Sequence, residues 1–251
     1  MKVTAIIQSR MGSSRLPGKS MRLLAGKPLI MHIVERARAC RVIDQVVIAT
    51  TTNPEDDPLA DWLRAQDVKV TRGSAEDVLA RYVQAAREFG GEVIVRITGD
   101  DPLKDPAVME RVIRHYLQHA TQYDYVSNTI QPTYPEGQDV EVFSAKTLMQ
   151  MPAWTQDAYD HEHVTPFLYR NPERFRCFNV VYTEDLSGLR WTLDTENDWQ
   201  FFERVFAELG NDRLLSMTEV LDLLRRQPEI AEINAAVQRS AQYRSKPLAK
   251  G

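Results

Sequence analysis

Short apolar runs and amphipathic segments alternate along the first half of the chain, and this rhythm limits the fold more than any other feature. Val3–Gln8, Gln45–Thr50, Val68–Thr71, Glu92–Thr98 and Asp124–Ser127 read as strands. Between them, Pro28–Cys40, Pro58–Ala65, Glu76–Phe89 and Pro106–His119 repeat apolar residues at helical spacing. Gly90-Gly91 marks a helix end. Strand, helix, strand at this spacing predicts βαβ units: an α/β protein with a mixed, mostly parallel sheet between helices. Such sheets bind ligands at the carboxyl ends of their strands. The informative loops therefore follow Gln8, Thr50, Thr71 and Thr98.

The second half is less regular. Asp139–Phe143, Arg174–Tyr182 and Arg190–Leu193 read as short strands. Asp157–Arg170, Asn197–Leu209, Thr218–Arg226 and Ile230–Gln238 read as helices. The expected organisation is one domain over residues 1–242, with 130–185 as a smaller subregion and a flexible tail at 243–251.

The 251 residues can bury a sizeable core, and a net charge of −4 argues against a general nucleic-acid coat. Cys40 and Cys177, the two cysteines, cannot build a disulfide framework or a CxxC zinc site. No apolar run is long enough to span a membrane. The expectation is a cytoplasmic protein with no nucleic-acid or membrane partner.

The loop after the first strand reads Gln8-Ser9-Arg10-Met11-Gly12-Ser13-Ser14-Arg15-Leu16-Pro17-Gly18-Lys19-Ser20. Small residues, hydroxyls and cations at a strand's carboxyl end suit a polyphosphate. It is not a P-loop, because five residues separate Gly12 from Gly18 where that motif has four. The Rossmann glycine pattern is absent as well.

With the second Gly26-Lys27-Pro28-Leu29, this segment resembles the cytidylyltransferase family, which contains the CMP-sugar synthetases. Within it the chain is most similar to the spore-coat polysaccharide biosynthesis protein F group. The likeness spans residues 3–210. It includes Arg72-Gly73-Ser74, Arg96-Ile97-Thr98-Gly99-Asp100 and Tyr125-Val126-Ser127-Asn128-Thr129. It continues through residues 134–143, Glu162-His163-Val164-Thr165-Pro166, and Leu189-Arg190-Trp191-Thr192-Leu193-Asp194-Thr195.

The resemblance implies a GT-A-like nucleotidyltransferase fold, a small acceptor-side and dimerisation insertion, CTP as nucleotide, and a divalent metal, Mg²⁺ or Mn²⁺. It implies a homodimer and a sugar-type acceptor activated for surface polysaccharide synthesis. Arg10, Arg15, Lys19 and Asp100 would be catalytic. Gln8, Arg10, Gly12, Ser13, Ser14, Arg15, Lys19, Thr50, Arg72 and Thr98 would bind the nucleotide. Asp100 and Asp194, each at the end of a strand, would hold the metal. As bare residues, Asp100 equally suits a turn before Pro102 and Asp194 a helix cap. Asp101 is a further candidate for that site, and Asp198 belongs beneath it or on the helix surface.

Asn128, Gln138, Asp139, Glu141, His163 and Arg190 are the acceptor-side candidates. Asp139 and Glu141 are expected on one face of a strand. His161 is expected at the surface, and Asp77 with Arg81 reads either as an ion pair on a helix or as a ligand contact. A metal-dependent glycosyltransferase, another nucleotide pyrophosphorylase, and a non-catalytic nucleotide-binding protein are the alternative readings.

Overall fold

The computed structural model describes residues 1–238, so the expected tail at 243–251 lies outside the described residues. Among the described residues nine strands form: β1 (Val3–Gln8), β2 (Leu23–Leu24), β3 (Lys27–Pro28), β4 (Gln45–Thr51), β5 (Lys69–Gly73), β6 (Val93–Thr98), β7 (Tyr125–Ser127), β8 (Glu141–Ser144) and β9 (Cys177–Asn179). β2 and β3 make a small hairpin; the others form one sheet in the order β5-β4-β1-β6-β8-β7-β9. β5, β4, β1 and β6 run parallel. β8 is antiparallel to both β6 and β7, and β9 returns parallel to β7. The expected mixed, mostly parallel sheet is what forms.

The helices are α1 (Leu29–Ala39), α2 (Asp57–Ala65), α3 (Val78–Phe89), α4 (Pro106–Gln118), α5 (Ala145–Trp154), α6 (Ala158–His163), α7 (Pro166–Arg170), α8 (Glu196–Leu209), α9 (Met217–Arg226) and α10 (Glu229–Glu232). They cover both sheet faces, and the two-residue period of the strands sorts side chains between two cores. Val3, Ala5 and Ile7 of β1 pack with apolar residues of α1, α2, α4, α8 and α9. Ile6, with Val47, Ala49 and Ile94, packs against Leu79, Tyr82 and Val83 of α3, Leu148 and Met151 of α5, and Leu168 of α7. Burial on both faces explains why these strands read as continuous apolar runs.

Several expectations in the second half are corrected. Asp157–Arg170 is two helices, because Val164 sits at φ 70° between α6 and α7. Arg190–Leu193 forms no strand; only a single bridge joins Arg190 to Glu136. β9 occupies three residues of the expected Arg174–Tyr182 run, and α10 ends at Glu232. β8 begins at Glu141, so Asp139 precedes it and the two acids share no strand face. α5 has no counterpart in the sequence reading; Pro152 inside it masks the helical pattern.

Candidate active site

The loop after β1 folds back on itself. Ser9 and Ser20 pair through their hydroxyls at 2.9 Å, and Ser20 Oγ donates to Arg10 O at 3.1 Å. Asp56 accepts from Met11 N at 2.6 Å, and Gly18 turns the chain at φ 73°. Beneath the loop, Tyr82 Oη lies 3.1 Å from Ile6 O and 3.2 Å from Ile97 O and shares its single hydrogen between them, tying β1 to β6 below the crevice. The loop is thus fixed at two points, with its cations left facing inward.

Over it lies a cavity of about 650 Å³, in the range of small-ligand sites. Gln8, Arg10, Ser13, Ser14, Arg15 and Lys19 line it from the loop, Thr98 and Asp100 from the end of β6, and Asp194 from the opposite wall. Asp139 and His163 line its far side. The crevice at the strands' carboxyl ends, expected from the βαβ pattern, is where these residues meet.

Two carboxylates 94 positions apart meet because their backbones are stitched. Leu193 N donates to Asp100 O at 2.9 Å. Trp191 N donates to Glu136 O at 2.7 Å, and Glu136 N to Leu189 O at 3.0 Å. Gly137, at φ 102°, crosses the same segment so closely that a Cβ would lie 2.3 Å from Trp191 O. Buried Lys104 completes the wall, donating to Gly137 O at 3.0 Å and Asp139 O at 2.6 Å.

Lys19 Nζ sits at the centre. It lies 2.8 Å from Asp194 Oδ1, 3.3 Å from Asp100 Oδ2 and 2.7 Å from Leu193 O. Burial opposes its charge, but the two aspartates outweigh burial and raise its pKa. Asp194 is the counterpart. Burial works against its charge, yet Lys19 and then Arg15 and Arg190 hold its carboxyl below the usual range. Arg15 reaches Asp194 Oδ2 at 2.8 Å and Arg190 reaches it at 3.1 Å.

Arg190 is the hub under this wall. It binds Asp198 Oδ1 at 2.8 Å and Glu136 at 3.2 Å, and burial of the guanidinium is outweighed by these acids, raising its pKa. Asp198 is fully buried and also closes the capping box of α8 with Thr195. Of the two placements expected for Asp198, the position beneath the wall is the one observed. Asp101 also lines the cavity, but its carboxylate pairs with Lys104, 3.1 Å distant, and accepts from Thr98 Oγ1 at 2.8 Å; burial pushes its carboxyl upward.

Other candidates lie outside the cavity lining. Asn128 clasps Gln138 O and Val140 N, and the side chain of Gln138 clasps Asp105 N and Leu103 O. Glu141 is paired with Arg96 at 2.9 Å and accepts from the Thr165 hydroxyl. Thr50 is fully buried. Arg72 donates to Thr51 O at 2.8 Å and Asn53 O at 3.0 Å and pairs with Asp57. Gly12 packs beside Glu55.

Arg96 and Glu136 line the cavity without having been candidates, and Arg81, read as either an ion-pair or a ligand residue, lines it too. Arg96 had a visible signal, a charge inside the apolar run Val93–Thr98. Arg81 donates to Ala75 O at 3.2 Å and to Ser74 O, and no ion pair joins it to Asp77. Asp77 instead caps α3 and binds His161, which is half-buried and not a free surface residue. The His163 ring lies 4.3 Å from that of Tyr159, tilted by 58°, and burial lowers its pKa.

The family model for cytidylyltransferases matches residues 4–233. The chain is 33% identical over 234 residues to the spore coat polysaccharide biosynthesis protein SpsF of Bacillus subtilis, covering 90% of this chain and 95% of that one. It is 34% identical over 256 residues to a 3-deoxy-manno-octulosonate cytidylyltransferase of Geobacter metallireducens, covering 90% and 99%. A cytidylyltransferase structure from Leptospira borgpetersenii superposes with a TM-score of 0.88 at 29% identity, covering 96% of this chain and 99% of that one. The α/β nucleotidyltransferase fold and the matched length lead to one conclusion: the chain belongs to the cytidylyltransferase family and is a nucleotidyltransferase enzyme.

Proposed function

We propose that the enzyme transfers the cytidylyl group of CTP to an oxygen of a sugar or sugar acid, releasing pyrophosphate, for surface polysaccharide or glycan synthesis. The observation that carries this reading is the convergence of Asp100 and Asp194 on Lys19, beside Arg10 and Arg15. The names of the relatives support both halves of it, the nucleotide and the sugar.

Asp100 and Asp194 fit Mg²⁺ or Mn²⁺. Their hard oxygens already share a positive charge, and such an ion completes its shell with phosphate oxygens and water. No cluster of three or more His, Cys, Asp or Glu suited to a metal occurs among the described residues, so the chain would supply these two ligands. When bound, the ion would neutralise phosphate charge and polarise the α-phosphoryl group.

The remaining work falls to side chains. Arg10, Arg15 and Lys19 draw in the triphosphate; arginine offers a fixed fork of donors and lysine a point charge. Gln8, Ser13, Ser14 and Thr98 border the nucleotide, while Gly12, Thr50 and Arg72 support the loops from behind. Asp139 and His163 face the acceptor; Asn128, Gln138, Glu141 and Arg190 keep that wall in place. The acceptor oxygen forms a bond to the α-phosphorus as the bond to the β-phosphate oxygen breaks. The acceptor proton passes to solvent, and charge builds on the leaving pyrophosphate, where the cations already stand.

Residues 1–242 would act as one unit in the cytoplasm, with 130–185 serving the acceptor and a homodimer contact. Among the described residues no helix is long and apolar enough to cross a membrane.

The test is pyrophosphate release with CTP, ATP, GTP or UTP and Mg²⁺, against sugar acids, sugar phosphates and amino sugars. Release with CTP and one acceptor is expected. Asp100→Ala should abolish it in a chain that still folds. Full activity in that variant would remove Asp100 from the reaction.

A further inference from the structure

Lys19 Nζ uses all three of its hydrogens inside the protein, on Asp194 Oδ1, Asp100 Oδ2 and Leu193 O. No donor is left for a phosphate. The residue is 8% exposed, so water does little to replace a lost partner. Asp194 Oδ2 is taken as well, by Arg15 and Arg190. The two carboxylate oxygens that Lys19 holds are the ones a divalent cation would need.

From this geometry we propose that Lys19 is a displaceable counter-ion. Its ammonium fills the seat between Asp100 and Asp194 and keeps a bare divalent cation out. The seat opens when a triphosphate arrives with its cation. The proposal rests on the metal reading of Asp100 and Asp194 and adds the condition under which that site fills.

The reason is electrostatic. Without a cation, two partly buried carboxylates would face each other, and like charges in such a place destabilise the fold. A bare divalent cation could neutralise them, but it would leave the displaced ammonium buried, without acceptors, beside a double positive charge. A triphosphate removes that obstacle by offering oxygens to Lys19 and to half-exposed Arg15 as they leave the aspartates. Cation and nucleotide binding are therefore coupled, and coupling is reciprocal.

The test is a titration of the full chain with Mn²⁺, reading bound ion by EPR, with and without CTP. Wild type should bind Mn²⁺ alone at least about tenfold more weakly than with CTP, within the ordinary span of coupling between sites. Lys19→Met should bind Mn²⁺ alone about tenfold more tightly than wild type. Lys19→Arg, which keeps the charge, should not. Asp100→Asn in the Lys19→Met background should abolish the gain. Damage to the fold cannot produce tighter binding, and Lys19→Gln serves in the same test if the methionine variant does not fold. Mn²⁺ binding to wild type that is equal with and without CTP, or no gain on neutralising Lys19, would overturn the counter-ion role. No Mn²⁺ bound even with CTP would overturn the metal reading beneath it.

Discussion

His161 on α6 is bound to Asp77, the cap of α3, with Nδ1 2.8 Å from Asp77 Oδ2. Its other nitrogen lies 3.2 Å from Thr155 O. Both neighbours are acceptors, so only the doubly protonated ring satisfies both. Burial opposes that charge, but Asp77, the Thr155 carbonyl and Asp160 outweigh it and raise the pKa. A raised folded pKa means stabilisation that is complete below the unfolded value, near ~6.5, and lost as pH rises through the folded one. The melting temperature of wild type should exceed that of His161→Gln most at about pH 5.5, and the gap should narrow toward about pH 8.5. A gap that widens with pH would refute the charged ring.

Arg96 in the cavity wall and Glu141 behind it form a buried pair, 2.9 Å apart. Arg96→Met leaves a buried carboxylate without its cation and should cost about 3–5 kcal/mol. The double variant Arg96→Met, Glu141→Leu should recover most of this, because an apolar pair leaves no stranded charge. Urea unfolding of the single and double variants measures both. Equal losses in the two would show that the charges do not act as a pair.

Asp198 joins the cap of α8 to Arg190, and Arg190 reaches on to Asp194. Asp198→Ala should destabilise the fold by more than about 1 kcal/mol, because it removes the cap of α8 and one buried partner of Arg190, which keeps Glu136 and Asp194. Activity should fall more than about tenfold even where the variant is fully folded, since Arg190 loses the partner that aims it at Asp194. Wild-type turnover in a folded variant would confine Asp198 to the cap.

Gly137→Ala should destabilise by more than about 1 kcal/mol, because the backbone is left-handed and the new methyl meets Trp191 O. Gly188→Ala meets open space and should change stability by less than about 0.5 kcal/mol. Thermal unfolding of the pair checks this. Similar melting temperatures would mean that the 136–137 segment moves aside freely.

The parallel half of the sheet was legible because each strand is buried on both faces and each helix shows one apolar stripe. Strand ends then located the crevice, and motif likeness singled out Lys19, Asp100 and Asp194. The break at Val164 was not legible, since nothing local in Glu162-His163-Val164-Thr165 signals a left-handed residue other than the following Pro166. Arg190–Leu193 alternates like a strand, yet its backbone is held by Glu136 and Asp100, partners distant in sequence. The same limit hid Asp77 and His161, which read as a helix-face residue and a surface residue. Arg96 is hidden because its neighbours are ordinary strand residues, and the sequence leaves Arg81 between an ion pair and a ligand contact because helical spacing allows both.

Lys19 and Asp194 are 175 positions apart, although they touch. On the ribosome the loop emerges early, and β1, β4, β5 and β6 can assemble before Asp194 has been made. A nascent chain at that stage carries Arg10, Arg15 and Lys19 but lacks the wall that orders the last two. The contact of Lys19 with both Asp100 and Asp194 is thereby deferred until most of the polypeptide exists.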